Sequence, residues 1–84
     1  MKVSVYSLKN ILFQEEAQSL NCNTDSGELT ILDHHEPLIT NIKEGLIKIV
    51  DKEGKLRYIQ VKEGFIEMRS NNELRCIIEE GKKE

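Results

Sequence analysis

Aromatic side chains are scarce in this sequence of 84 residues, which contains Tyr6, Phe13, Tyr58 and Phe65 and no tryptophan. Positive charge is also in short supply, because 12 basic residues stand against 15 acidic ones and leave a net charge of −3. Proteins that bind nucleic acid need a cationic stripe, and those that hold single strands usually add stacking aromatic rings. The composition therefore argues against a nucleic-acid partner.

Long apolar runs and a targeting leader are missing too. No stretch approaches the ~20 apolar residues needed to cross a bilayer, and Met1 leads directly into alternating sequence instead of a charged-then-apolar leader. We expect no direct membrane insertion, and the cytoplasm is the simplest compartment. Cys22 and Cys76 lie far apart in such a chain, so we expect buried thiols rather than a disulfide or a metal pair.

The pattern that is present is alternation of apolar and polar residues, with period two. Glycines at 45, 54 and 64 and the pair Asn71-Asn72 supply turn signals about every ten residues, a spacing typical of an all-β sandwich or barrel. An amphipathic helix over 7–19 is the competing interpretation, but its apolar positions do not hold a 3.6-residue period. Strands are predicted over 2–7, 11–13, 28–32, 38–42, 46–50, 56–61, 65–69 and 74–78, with a weaker one over 19–22; residues 79–84 are expected to fray.

Residues that could perform chemistry form only one dense group, Asp33-His34-His35-Glu36. Neighbours in an extended chain point to opposite faces, so the two histidines would not converge on one ion without a sharp fold of the loop. No nucleophile elbow and no glycine–lysine phosphate loop is found either. We predict a polar loop here, with no catalytic, metal or nucleotide site and no cofactor.

The most specific signal is the segment Gly27-Glu28-Leu29-Thr30-Ile31-Leu32-Asp33-His34-His35-Glu36-Pro37-Leu38-Ile39-Thr40. It resembles the signature G-E-[LF]-x-[IV]-L-P-G-H-x-P-L-[IL]-T of the ATP synthase epsilon subunit. Segments 3–13, 43–49 and 64–68 resemble further steps of the same family, in the same order. The resemblance covers residues 1–80 as one domain and leaves 81–84 as a charged tail.

This resemblance implies a ten-stranded β-sandwich of two five-stranded sheets. It further implies a non-catalytic central-stalk (rotor) subunit that binds the gamma subunit and the ring of c subunits, and so couples ion flow to ATP synthesis. Such a subunit is peripheral to the cytoplasmic face of the inner (plasma) membrane. Family members usually add two C-terminal helices, which in some bind ATP, and the sequence here stops before them.

Carried over position by position, the resemblance implies ring contacts at Ser7, Glu28 and His35 and gamma contacts at Thr40 and Phe65. Alternation independently places Phe65 on the polar face of its strand, where either a partner or an edge of the sandwich could cover it. The carboxylate, imidazole and hydroxyl of the ring positions could equally be ordinary solvated groups.

One departure from the family signature and one alternative function stay open. Asp33-His34 stands where the family usually has Pro-Gly, which changes the stiffness and the allowed φ values of the loop. The alternative function is a free-standing small-ligand-binding β module. That class needs a concave site lined by aromatic rings and convergent polar groups, for which this composition offers little material.

Overall fold

Alternation of inward and outward side chains builds every strand of this chain. A computed structural model describes all of residues 1–84 and contains β-strands but no helix. The strands are β1 (Lys2–Tyr6), β2 (Ile11–Thr24), β3 (Gly27–Leu32), β4 (Leu38–Ile42), β5 (Gly45–Asp51), β6 (Leu56–Val61), β7 (Gly64–Arg69), β8 (Glu73–Ile78) and β9 (Gly81–Lys83).

The strands form two layers that share β2. The first layer has the order β4-β7-β8-β1-β2, and the second has the order β3-β2-β5-β6-β9. The first part of β2 pairs with β1 and its second part with β3 and β5, and the register shifts between Ala17 and Ser19, where the strand passes from one layer to the other. The all-β sandwich is therefore confirmed. It is built from nine strands, and because the 14-residue strand β2 belongs to both layers, each layer contains five.

The two ends of the sandwich are set by the direction of β1. At its last residue, Tyr6 pairs with Ile77 of β8, and β7 begins beside it at Gly64, so we name this the upper end. Lys2 pairs with Glu73 at the opposite, lower end. The pair β1·β8 is parallel, while all other neighbours run antiparallel.

Between the layers lies one apolar core, to which every strand except β9 contributes inward side chains. Val3 and Val5 of β1, Leu20 of β2 and Ile31 of β3 all belong to this core and are fully buried. The other residues of the 19-residue core are Met1, Leu12, Phe13, Ala17, Cys22, Ile42, Ile47, Ile49, Ile59, Val61, Ile66, Met68, Leu74, Cys76 and Ile78. Both cysteines are free and buried, as expected from their positions in the sequence.

A set of hydrogen bonds to the Asp51 carboxylate stabilises the loop of the β5–β6 hairpin. Asp51 is buried although charged, and its carboxylate accepts hydrogen bonds from the backbone N–H groups of Glu53 and Lys55 at 3.0 and 2.9 Å. Arg57 donates to the other carboxylate oxygen at 3.2 Å. These bonds compensate the burial of the charge and fix the four-residue loop 52–55 between the two strands.

Strand formation over 11–19 confirms the choice of strand over helix. The expectation that 79–84 frays is wrong, because Gly81–Lys83 pairs with β6. Backbone hydrogen bonds hold this strand, among them Lys62 N to the Glu80 oxygen at 2.9 Å and Glu84 N to the Tyr58 oxygen at 3.0 Å. No helix that is long and apolar enough to cross a membrane occurs in the chain.

Candidate interaction surface

Four apolar or aromatic side chains form a continuous row across the outer face of the first layer. Phe65 pairs with Ile77, Ile77 with Tyr6, and Tyr6 with Ile11, so the row crosses β7, β8, β1 and β2 at the upper end. Phe65 is 63%, Ile11 62% and Ile77 48% exposed. We call these four residues the apolar row. Contiguous exposed apolar side chains of this kind mark places where another surface binds.

Below the apolar row the same face becomes polar. The next cross-strand row contains Glu67, Arg75, Ser4 and Gln14, paired in that order from β7 to β2. The outer face therefore has an apolar strip at the upper end and a charged strip below it. An apolar centre beside a polar rim is the usual anatomy of a protein–protein interface.

The turn between β1 and β2 presents one more apolar side chain at the upper end. The Ser7 hydroxyl oxygen accepts hydrogen bonds from the backbone N–H groups of Lys9 and Asn10 at 3.3 and 3.2 Å. Leu8, at the tip of this turn, is fully exposed. A turn held by its own side-chain bonds can present an apolar tip to a partner without first being ordered, which lowers the entropic cost of binding.

An acidic depression of about 690 Å³ adjoins the apolar row at the upper end. Phe65 and Ile77 form part of its wall, and Lys43 is the one basic residue that lines it. The acidic residues around it are Asp25, Glu44, Glu63 and Glu79. The excess of carboxylates makes this part of the surface favourable for a basic segment.

The structure separates the three predicted ring residues into two locations. Ser7 lies in the β1–β2 turn and Glu28 lies exposed near the start of β3, and both positions are at the upper end. The second layer reaches this end where Lys43 N donates to the oxygen of Asn23, the partner of Glu28, at 2.8 Å. His35 follows β3 at the lower end, about 15 Å of strand away from Ser7. Ser7 and Glu28 therefore lie at the upper end, whereas His35 lies at the lower end.

The two predicted gamma residues lie on neighbouring strands. Thr40 of β4 pairs with Ile66 of β7, while Phe65 pairs with Asn41. Since Ile66 is buried and Phe65 is exposed, Thr40 and Phe65 point to opposite sides of the first layer. Thr40 is only half-buried because β4 is an edge strand.

The loop after β3 is organised by Asp33, the residue that replaces the usual proline of the family. Its carboxylate accepts from the Met1 amino group and, at 2.9 Å, from the side-chain amide of Asn72. These two bonds, the first above all, hold the pKa of Asp33 below its ordinary value. The His34 N–H donates to the Asn72 side-chain oxygen at 2.7 Å. Asp33 and Asn72 thus connect the loop to the β7–β8 turn.

His34 has a φ of 62°, the left-handed conformation that the family's glycine would adopt without strain. A histidine in this conformation carries a steric cost that glycine would not. The ring nitrogen Nδ1 of His35 lies 2.7 Å from the Glu36 carbonyl oxygen, while His34 points to solvent near Asp33. No group of three or more histidine, cysteine or acidic residues is arranged to hold a metal ion.

Sequence reasoning found Phe65 but missed the rest of the apolar row. Tyr6, Ile11 and Ile77 each occupy the outward position of a strand, so alternation marks them individually. Their alignment depends on the register of three strand pairs, and one of these joins the two ends of the chain. The signal that could have identified these three residues is the presence of apolar residues at outward positions of neighbouring strands.

The chain is an all-β sandwich with an exposed apolar row and an acidic edge, and its side chains form no catalytic constellation. These features are typical of the class of small protein-interaction modules. Residues 1–80 match the family model described as ATP synthase, Delta/Epsilon chain, beta-sandwich domain. The chain belongs to this family, which confirms the resemblance drawn from the sequence. Delta/epsilon chains are non-catalytic accessory subunits of ATP synthase, so the chain is not an enzyme in its own right.

Solved structures with the same fold come from mitochondrial ATP synthases. A chain in the Euglena gracilis assembly of OSCP, F1 and c-ring superposes with a TM-score of 0.90 at 17% identity, covering 96% of this chain and 51% of that one. A chain of the Tetrahymena thermophila central stalk and c-ring gives 0.82 at 14% identity, covering 98% and 65%. The present chain thus spans between half and two thirds of these relatives.

Proposed function

We propose that this chain is a rotor subunit of the central stalk of a rotary, proton- or sodium-translocating ATP synthase, where it binds the gamma subunit and the c-ring. Its role is to fix the ring to the shaft, so that ion flow through the ring turns the shaft and drives ATP synthesis. It sits peripherally at the cytoplasmic face of the membrane that contains the ring. The observation that carries the proposal is the apolar row, on a chain that belongs to the delta/epsilon family.

Gamma is assigned to the outer face of the first layer. Phe65 is the largest exposed apolar side chain of the row, and aromatic anchors surrounded by smaller apolar contacts provide most of the binding energy of typical interfaces. Thr40 lies on the adjacent edge strand with its side chain on the opposite side of the layer, so a partner that covers Phe65 would reach Thr40 only by extending around the edge of β4. The charged row below would set the register of binding rather than its strength.

The c-ring is assigned to the upper end, through Ser7 and Glu28. The exposed Leu8 beside Ser7 supplies an apolar contact, and the Glu28 carboxylate suits a polar or basic loop of the ring. His35 lies at the lower end, so its ring contact stays a prediction that requires a second surface.

Capture of the chain by isolated gamma subunit from the same cell tests the proposal, at low and moderate salt. We expect Phe65→Ala to weaken binding by about tenfold or more, the loss typical of an interface anchor. Leu56→Ala is the matched control, because Leu56 is 55% exposed on the outer face of the other layer and should leave binding within about twofold. The same capture with the c-ring should be weakened by Glu28→Lys.

Absence of binding to gamma at both salt concentrations would overturn the rotor assignment. Equal losses from Phe65→Ala and Leu56→Ala would retain gamma as a partner but remove the apolar row as its binding surface.

A further inference from the structure

Every strand with only one neighbour exposes unpaired backbone groups, and this sandwich has several such edges. They are β4, β3, β9 and the first part of β2. An edge strand offers free N–H and C=O groups on which a further strand can add, and proteins usually protect such edges with charge, proline, bulges or short length.

Three of the four edges are protected. The strand β9 has three residues, two of which are lysines, and the first part of β2 carries Glu15 and Glu16 together with a register shift beside Tyr6. The edge of β3 carries Glu28. By contrast, β4 reads Leu38-Ile39-Thr40-Asn41-Ile42, without charge, proline or bulge, and pairs with β7 in uninterrupted register.

The edge of β4 is also apolar on its outer side and continuous with the apolar row. Ile39 is 72% exposed, and Asn41 is the cross-strand partner of Phe65. A strand added to β4 would therefore place its own outward side chains beside both Ile39 and Phe65. The open edge and the apolar row form one surface.

From these observations we infer that β4 accepts an extended segment of the gamma subunit as an additional strand of the first layer. This inference rests on the function proposed above and names the way in which the partner binds. Main-chain hydrogen bonds would supply affinity, and side-chain contacts to Ile39 and Phe65 would supply specificity.

The negative charge near the end of β4 indicates which residues the bound segment contains. Where β4 ends, at the upper end, the surface is acidic, with Asp25, Glu44 and Glu63 around Lys43. The segment that fits carries an apolar residue over Ile39 and Phe65 and lysine or arginine at the end that reaches this region.

A second copy of this chain fits the edge less well. A two-fold antiparallel pairing of β4 with itself, centred on Thr40, places Glu36 of each copy opposite Glu44 of the other. Like charges in direct opposition destabilise a strand pair. The carboxylates of Glu36 and Glu44, which flank the two ends of β4, therefore favour a different chain with basic residues.

Residue-resolved amide exchange of the full chain, free and bound to gamma, tests the inference. In an antiparallel pair, alternate residues point their N–H groups away from the partner, so two or three amides of 38–42 are unpaired in the free chain. We expect these amides to exchange at least tenfold more slowly in the complex. The unpaired amides of β3 serve as the internal control and should keep their rates.

Ile39→Lys adds the kind of charge that protects other edges, and it should weaken binding of gamma by at least tenfold. Leu32→Lys is the matched control, since Leu32 is 59% exposed on β3, the edge strand of the other layer, and should change binding by less than about threefold.

Three outcomes would overturn the inference. If gamma binds while the β4 amides exchange at unchanged rates, gamma covers the face alone, and the proposed function stands without the added strand. If the free chain forms dimers with protected β4 amides, the occupant is a second copy. If gamma does not bind at all, the proposed function fails and the added strand with it.

Discussion

At the scale of single residues, the close approach of β7 and β8 at the upper end depends on Gly64. A Cβ at this position would overlap the carbonyl oxygen of Ile77 and lie 2.7 Å from the Cα of Ile78. Both obstacles are backbone atoms, so no side-chain rotation can make room. This glycine keeps the two strands together beside Phe65 and Ile77, and so keeps the apolar row continuous.

Gly64→Ala should therefore lower the free energy of unfolding by about 3 kcal/mol, near the upper end of the usual cost of overpacking. Gly54→Ala is the comparison, because Gly54 has a φ of 83° in open space and should cost about 1 kcal/mol of backbone strain alone. Urea unfolding of both variants measures the difference. Equal losses would mean that the clash at Gly64 is relieved by movement of the backbone.

At the scale of elements, Asp51 holds the β5–β6 hairpin together. The hydrogen bond from the Lys55 N–H is the main reason that the pKa of Asp51 is lowered, and bonds from Glu53 and Arg57 add to it. A carboxyl whose pKa is lower in the folded than in the unfolded state stabilises the fold above the unfolded value of about 3.9. This stabilisation is lost as the pH falls through the folded-state pKa.

Asp51→Asn should accordingly unfold at lower urea concentration than the parent near pH 7, since the amide cannot provide the same charged acceptor to Arg57. The gap between the two proteins should narrow as the pH falls below about 4, where the Asp51 carboxyl of the unfolded parent takes up a proton and that of the folded parent follows at lower pH. Urea titrations across this range measure it, with Asp25→Asn in the exposed β2–β3 turn as the control. A gap that stays constant with pH would mean that the charge of Asp51 is not what stabilises the hairpin.

The burial pattern of each strand explains which of the strands could be predicted from the sequence. The strands β5 to β8 show clean alternation, because each has one face in the core and one in solvent. The length of β2 could not be predicted, since Gln14–Glu16 are all exposed where the strand turns from one layer to the other. Nor could β9, whose residues pair through the backbone and bury no apolar side chain.

The interaction surface, like the strands, could be predicted only where alternation within one strand determines the position of a side chain. Alternation within one strand is sufficient to turn Phe65 outward, whereas the separation of Ser7 from His35 depends on how β1 and the loop after β3 are arranged in three dimensions. Properties that depend on a single strand were accessible from sequence, and those that depend on register between strands were not.

At the scale of the whole molecule, the core between the two layers contains both cysteines of the chain. Cys22 and Cys76 are both 0% exposed, one in each layer. Burial raises the pKa of the Cys22 thiol to about 11 and raises that of Cys76 as well, with a further contribution from Cys22. The thiolate is the reactive form of cysteine, so both burial and the raised pKa values suppress reaction in the folded state.

The rate at which a thiol reagent modifies this chain should therefore report global unfolding. We expect both thiols to react slowly and together near pH 8 without denaturant, and within the mixing time in urea that unfolds the chain. The variant Gly64→Ala should react faster in water, with the logarithm of the rate rising in proportion to its loss of unfolding free energy, because modification passes through the open state. The absorbance of the thiolate released from a chromogenic disulfide reagent measures the rate in the parent and in Gly64→Ala. The variants Cys22→Ala and Cys76→Ala show which thiol gives rise to which rate. Rapid reaction of one thiol in the parent, without acceleration by Gly64→Ala, would mean that one layer opens locally and that the sandwich is not a single cooperative unit.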